Sequence, residues 1–171
     1  MGKSMKTPIL ETSRLWLKPL KEEDAPGAFL WTGDPKVSWY MRYETHESLE
    51  DTKQWLREEE KQLDSDLLYD FGFHKKDNDE LIGSGGLTFN QQQGIWELGC
   101  NLRRDCWNQG YGTEAAAAIL SFAENTLHIH RVMARHAKDN AASGRVLEKN
   151  GFSFVRECWD CLLYTSDAAD E

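Results

Sequence analysis

Apolar Leu15 and Leu17 alternate with polar neighbours between Ser13 and Leu20, the period of a strand with one buried face. Residues 21–34 (KEEDAPGAFLWTGD) open on acids, which suit a helix N-terminus, and close on Gly33. Thr45 to Leu63 predicts a longer helix. Ser48 and Asp51 form a capping pair, Leu49, Trp55, Leu56 and Leu63 make an apolar side, and Glu58 to Glu60 make a solvated face. Two alternating runs, Leu68 to His74 and Leu81 to Phe89, flank a polar Asp77-Asn78-Asp79 turn and predict a hairpin. Gly94 to Leu102 is a further strand, and Thr113 to Leu127 a helix with Ile119, Phe122 and Ala123 inward. Arg131 to Ala137 alternates Val132, Ala134 and His136 against Arg131, Met133 and Arg135, again a strand. Asp139 to Phe152 is a short helix, capped by Asp139 or Asn140 and ended by Gly151, and Phe152 to Trp159 is a strand. The order β-α-α-β-β-β-α-β-α-β predicts a mixed α/β domain.

Composition narrows the class. A chain of 171 residues fits one domain, and 40% hydrophobic residues with seven tryptophans supply its core. No apolar run approaches the roughly 18 residues of a membrane span, and the N-terminus lacks the apolar region of a signal peptide, so a cytoplasmic protein with no membrane partner is expected. The formal charge of −9 disfavours nucleic acid as a partner and is compatible with a cationic substrate such as an amine. Cys158 and Cys161 spell C-x-x-C, a redox or half-zinc spacing with no second pair to complete a zinc site. His128, His130 and His136 have no carboxylate or cysteine at ligand spacing and read as solvated or structural, so no metal is expected.

The last eleven residues, CLLYTSDAADE, resemble a translated sequencing-library adaptor. On that resemblance the domain occupies residues 8–160, residues 161–171 are a non-native tail to be set aside, and the C-x-x-C is accidental. Any sheet strand that belongs after Asp160 is then missing.

One stretch stands apart. WNQGYGTEA, Trp107 to Ala115, places Gly110 and Gly112 between a strand end and a helix start. A backbone nest and the positive end of a helix dipole bind phosphate oxygens at such a junction, and glycine lets the amides approach without a Cβ in the way. A tight strand–helix turn explains the glycines equally well at this level. The dinucleotide pattern G-x-G-x-x-G is incomplete, and no acid ends the next strand, which disfavours a Rossmann site. GSGG, Gly83 to Gly86, lies inside a strand with no Lys-Ser or Lys-Thr after it. A bulge or close backbone contact suits it better than a phosphate loop.

ELGCNLRRDCWNQGYGTEA followed by DNAASGRVLEKNGF resembles the GNAT superfamily of N-acetyltransferases, closest to its ribosomal-protein N-terminal and spermidine acetyltransferase branch. The likeness runs from about Thr12 to Phe154. It implies the GNAT fold, an α/β domain with a mixed, mostly antiparallel central sheet, splayed strands and flanking helices, here without its last strand. It implies acetyl-CoA as cosubstrate. The family signature falls on Trp107 to Gly112, with Trp107 in place of the usual Gln or Arg. The resemblance assigns the backbone amides of Gln109, Gly110, Tyr111, Gly112 and Thr113 to the pyrophosphate. It assigns Asn101 and Leu102, at the end of a splayed strand, and Asn140 to the pantetheine arm.

Acetyl transfer from a thioester to an amine requires a deprotonated amine, a stabilised carbonyl oxygen and a protonated leaving thiolate. Many members use a tyrosine for the last task, seven residues past the pantetheine-binding asparagine. Here that position is Leu147, and Ser143 resembles the serine of this branch. Glu97, with Trp96 and Leu98 beside it to desolvate it, is the candidate base, and a backbone amide near Leu102 the candidate for the carbonyl. The acceptor is a small-molecule amine, a polyamine or a protein N-terminus, approached from Trp31 to Leu63, where Trp39, Tyr40 and Tyr43 could form walls. The chain is a monomer or homodimer. Leu147 also leaves room for a CoA-binding regulatory module without turnover.

Overall fold

A computed structural model describes residues 7–41, 43–158 and 161–167. Its strands are β1 (Leu10–Glu11), β2 (Leu15–Pro19), β3 (Leu68–Lys75), β4 (Leu81–Asn90), β5 (Ile95–Leu102), β6 (Arg131–Ala137), β7 (Ser153–Cys158) and β8 (Cys161–Asp167). Its helices are α1 (Ala25–Thr32), α2 (Pro35–Ser38), α3 (Leu49–Lys61), α4 (Tyr111–Asn125) and α5 (Ala141–Lys149). The eight strands form one sheet in the order β1-β2-β3-β4-β5-β6-β8-β7, antiparallel except between β5 and β6.

Each face of the sheet follows from period-two alternation. Leu15, Leu17, Tyr69, Phe71, Phe73, Leu87 and Leu98 share one face and bury Ala115, Ile119 and Phe122 of α4. Tyr69 and Phe71 both meet Phe122 edge-on, at 5.5 and 5.9 Å between ring centroids. The opposite face carries a second cluster, in which Leu20 and Leu81 pack with Trp31 of α1 and Leu56 of α3. α3 begins at the predicted pair: Asp51 N–H donates to Ser48 Oγ, and Ser48 N–H to Asp51 Oδ2. Gly86 faces the Tyr69 carbonyl so closely that no Cβ fits, which makes the glycine-rich stretch a close backbone approach.

Three elements differ from the sequence reading, the first being the four-residue α2, which follows Asp34 with Pro35 at its first turn and is too short for a periodic signal. β1 is a two-residue pairing with β2, too short for a periodic signal. The strand expected to be missing is present, because Cys161–Asp167 runs antiparallel to both β6 and β7 and fills the slot between them. Tyr164, buried there, stacks against His136 and Phe154 at 5.3 and 5.7 Å. An alternating Leu163-Tyr164-Thr165 run suffices for that place, whatever its origin. Cys158 and Cys161 are register partners, and their side chains lie outside the described residues.

Candidate active site

β5 and β6 pair only from Trp96 to Leu98 and from Val132 to Ala134. β5 then follows β4 to Leu102, while β6 follows β8 to Ala137. The strands part, and the edge of β5 that faced β6 has no ladder partner from Gly99 onward. A cleft of about 540 Å³ opens at this fork, between the end of β5, Arg135 and His136 of β6, the start of α4 and the first turns of α5.

The start of α4 forms the end wall. Gly110 has φ +84° and Asn108 φ +61°, two left-handed residues that turn successive amides toward one side. The first helix bond is Glu114 N–H to Gly110 O at 3.0 Å, so the amides of Tyr111, Gly112 and Thr113 precede it at the positive end of a fifteen-residue helix. A Cβ on Gly112 would make only ordinary 3.6 Å contacts with Leu102 and Val146, so nothing in the chain's own packing demands glycine there. Its Cβ would instead stand in the cleft. Arg145 and Lys149 also line it and add positive charge. This combination fits a pyrophosphate-bearing ligand.

Asn101, Leu102, Trp107, Gly110, Tyr111, Gly112, Thr113 and Asn140 all line the cleft; Gln109 does not. Gln109 braces the loop instead, its Nε2 donating to Asp105 O at 2.9 Å, and Trp107 Nε1 ties the loop to β5 through Leu102 O at 2.9 Å. Arg14 carries no signal in the sequence yet holds the same loop from ninety-five residues away. It donates to Gln109 O at 3.0 Å, pairs with Glu114 at 2.7 Å and lies 4.2 Å over the Tyr111 ring. Burial pushes the Glu114 carboxyl up, but hydrogen bonds from Thr12 and Arg14 outweigh it and hold the group below the usual range.

Asn140 caps α5, its Oδ1 accepting from Ser143 N–H at 3.2 Å. Ser143 and the buried Leu147 both line the cleft. Glu97 stands differently. In a strand its neighbours Trp96 and Leu98 point to the opposite face, so they cannot desolvate it. Both its oxygens accept from Arg135, at 2.9 Å each, and it is absent from the cleft wall. The pair spans β5 and β6 just where they part. His136 Nδ1 donates to Ala137 O at 2.7 Å, and its buried Nε2 has no partner among the described residues.

On the other side of the fork, Tyr40 lines the cleft and lies 6.5 Å from the Trp107 ring, whereas Trp39 is 77% exposed. Tyr43 donates to Asn101 Oδ1 at 3.5 Å, and burial, then Asp34, pushes its phenol up to about 12. Cys100 also lines the cleft. Burial, then Asp70, pushes its thiol up to about 12, which keeps it protonated and a poor nucleophile. Cys100 is therefore expected to react with a thiol-alkylating reagent at least ten-fold more slowly at pH 7.5 in the folded protein than after denaturation. Mass spectrometry of the alkylated peptide reads this; equal rates would overturn the assignment.

A sheet forked beside a helix N-terminus that offers free amides suits a ligand with a phosphate group and an extended arm. A family model described as acetyltransferase (GNAT) domain matches residues 14–153. The chain belongs to this family of acetyltransferases. The uncharacterized N-acetyltransferase YoaA of Bacillus subtilis is 30% identical over 146 residues, 85% of this chain and 82% of its own length. A GNAT-family acetyltransferase crystal structure from Bacillus anthracis superposes with a TM-score of 0.81 at 22% identity, over 95% of this chain and 99% of that one. A ribosomal L7/L12 α-N-protein acetyltransferase in complex with coenzyme A gives 0.78 at 16% identity, over 95% of this chain and all of that one. Among the described residues no helix is long and apolar enough to cross a membrane.

Proposed function

We propose that this chain transfers an acetyl group from acetyl-CoA to a primary amine carried by a protein N-terminus, a polyamine or a small molecule. One observation carries the reading: the fork between β5 and β6 opens directly onto the free amides of α4. Acetyl-CoA supplies the activated acyl group as a thioester, and the protein supplies binding, orientation and proton handling. Tyr111, Gly112 and Thr113 amides hold the pyrophosphate, with Arg145 and Lys149 beside them. The unpaired edge of β5 and the Asn140 side chain receive the amides of the arm. Ser143, on the first turn of α5, is the assigned proton donor to the departing sulfur, since Leu147 has no proton to give. The Glu97–Arg135 pair is assigned to holding the two strands at the fork, a role that its bidentate geometry supports better than proton abstraction.

Thermal unfolding with and without acetyl-CoA tests this reading. At one hundred times Kd, linkage gives about 2.7 kcal/mol, roughly 5–10 °C for a domain of this size. Pantetheine alone, without the pyrophosphate, should give less than half of that. No shift in a folded protein would sink the proposal. A full shift with no turnover across an amine screen would favour the regulatory CoA-binding reading, which Leu147 supports.

A further inference from the structure

α4 and α5 pack on one face of the sheet, and the nest of α4 delivers the donor to the fork from that side. An amine must then arrive from the opposite face. There α1 and α3 cover the half built from β2 to β4. The half built from β6, β8 and β7 contributes no residue to that cluster and is left uncovered by it.

Period-two alternation sets Arg131, Met133 and Arg135 in one row along β6 on that open face. Arg135 lies one residue past Ala134, the last residue paired to β5, so the row begins at the fork. Arg131 lies four residues back, about 13 Å away at the rise of a strand. Arg156 of β7 is the register partner of Leu163, itself the partner of Arg135, so it joins the same face two strands over. Arg131 and Arg156 rim a hollow of about 500 Å³ that Met133, Val155, Leu163 and Thr165 line, with Ile95 and Trp96 of β5 on one side and His128 and His130 at its end; Arg135 lines the cleft at the fork instead. Glu97 neutralises Arg135. Arg131 and Arg156 are exposed. A chain of net charge −9 thus sets the exposed guanidinium groups of Arg131 and Arg156 beside a hollow on the same face that carries Arg135 at the fork.

We propose that the acceptor is a polypeptide whose N-terminal amine enters at the fork and whose following residues lie along this face, with acidic side chains at about the third to fifth positions. The inference rests on the acetyl-transfer reading above. Carboxylates suit guanidinium forks bidentately, and an extended peptide covers the 13 Å from Arg135 to Arg131 in about four residues. A polyamine would bring its second and third cations to two arginines, the wrong sign for this surface.

The test compares three acceptors with acetyl-CoA saturating: a peptide beginning Ala-Ser-Asp-Glu-Asp, its counterpart Ala-Ser-Lys-Lys-Lys, and spermidine. Anisotropy of dye-labelled peptides measures binding separately from turnover. The acidic peptide is expected to show kcat/KM about ten-fold above the basic one, with the gap shrinking as salt rises. The double charge reversal Arg131→Glu with Arg156→Glu should raise KM for the acidic peptide about ten-fold and lower it for the basic one, while the acetyl-CoA thermal shift stays unchanged. Turnover that favours spermidine or the basic peptide, or ignores the reversal, overturns this inference alone. An acidic peptide that binds charge-dependently but is never acetylated upholds the surface and overturns the acetyl-transfer reading. Neither binding nor turnover overturns both.

Discussion

Gly112→Val is expected to remove most of the acetyl-CoA-dependent rise in unfolding temperature while leaving the unfolding temperature of the free protein within about 2 °C. The substitution separates the chain's own needs from the ligand's. A Cβ at position 112 meets Leu102 and Val146 at 3.6 Å, ordinary contact, and the cleft beside it leaves room for the methyl groups beyond. Valine is also a slightly better helix residue than glycine, by a few tenths of a kcal/mol. What the added methyl groups obstruct is the approach to the amides of Tyr111 to Thr113. A hundred-fold loss of affinity corresponds to about 2.7 kcal/mol and would cut the stabilisation to about 0.4 kcal/mol under the conditions given above, a shift of about 1 °C. A shift that survives in full would mean that the pyrophosphate does not lie against this turn. Gly110→Ala behaves differently, because its left-handed backbone strains any side chain by roughly 1–2 kcal/mol, so it lowers stability as well as binding.

Ending the chain at residue 160 is expected to cost the cooperative unfolding transition altogether. Among the described residues β7 pairs with β8 alone, and β8 is also the partner of β6 over seven residues. Without it β7 has no place in the sheet, and Phe152 and His136 lose the cover of Tyr164. β6 meanwhile presents an open edge to other copies of the chain. The milder Tyr164→Ala removes one buried aromatic and should cost about 3–5 kcal/mol while keeping a measurable transition. Circular dichroism on heating, together with light scattering, reads both. A shortened chain that stays monomeric and melts as sharply as the parent would show that β8 contributes nothing the rest of the sheet needs.

The longer strands and helices of the first 158 residues were legible because most of them keep an apolar period of 2 or 3.6 over five residues or more, whereas β1 and α2 are too short to show one. The nest was legible for a different reason, since glycines at a strand–helix junction stand out against helix propensity. Arg14 was not, because a guanidinium bracing a loop ninety-five residues away leaves no local mark. The Glu97 environment was misjudged from sequence neighbours. Adjacent residues in a strand face opposite sides, and the decisive partner, Arg135, comes from a strand thirty-eight residues on. The place of residues 161–167 was obscured by their resemblance to a foreign segment, although Leu163-Tyr164-Thr165 has the alternation that a sheet accepts.

The position of β8 in the sheet bears on how the protein is made. It follows β7 in sequence yet lies inside it in space, so the sheet cannot be laid down strand by strand as the chain leaves the ribosome. Until β8 emerges, β6 waits with a bare hydrogen-bonding edge and β7 dangles beyond it. Closing the sheet is then a single late event in which one segment zips against two strands at once. For that interval the nascent chain carries a finished turn at the start of α4 on a half-finished sheet, and it is then that it most needs shielding from its neighbours.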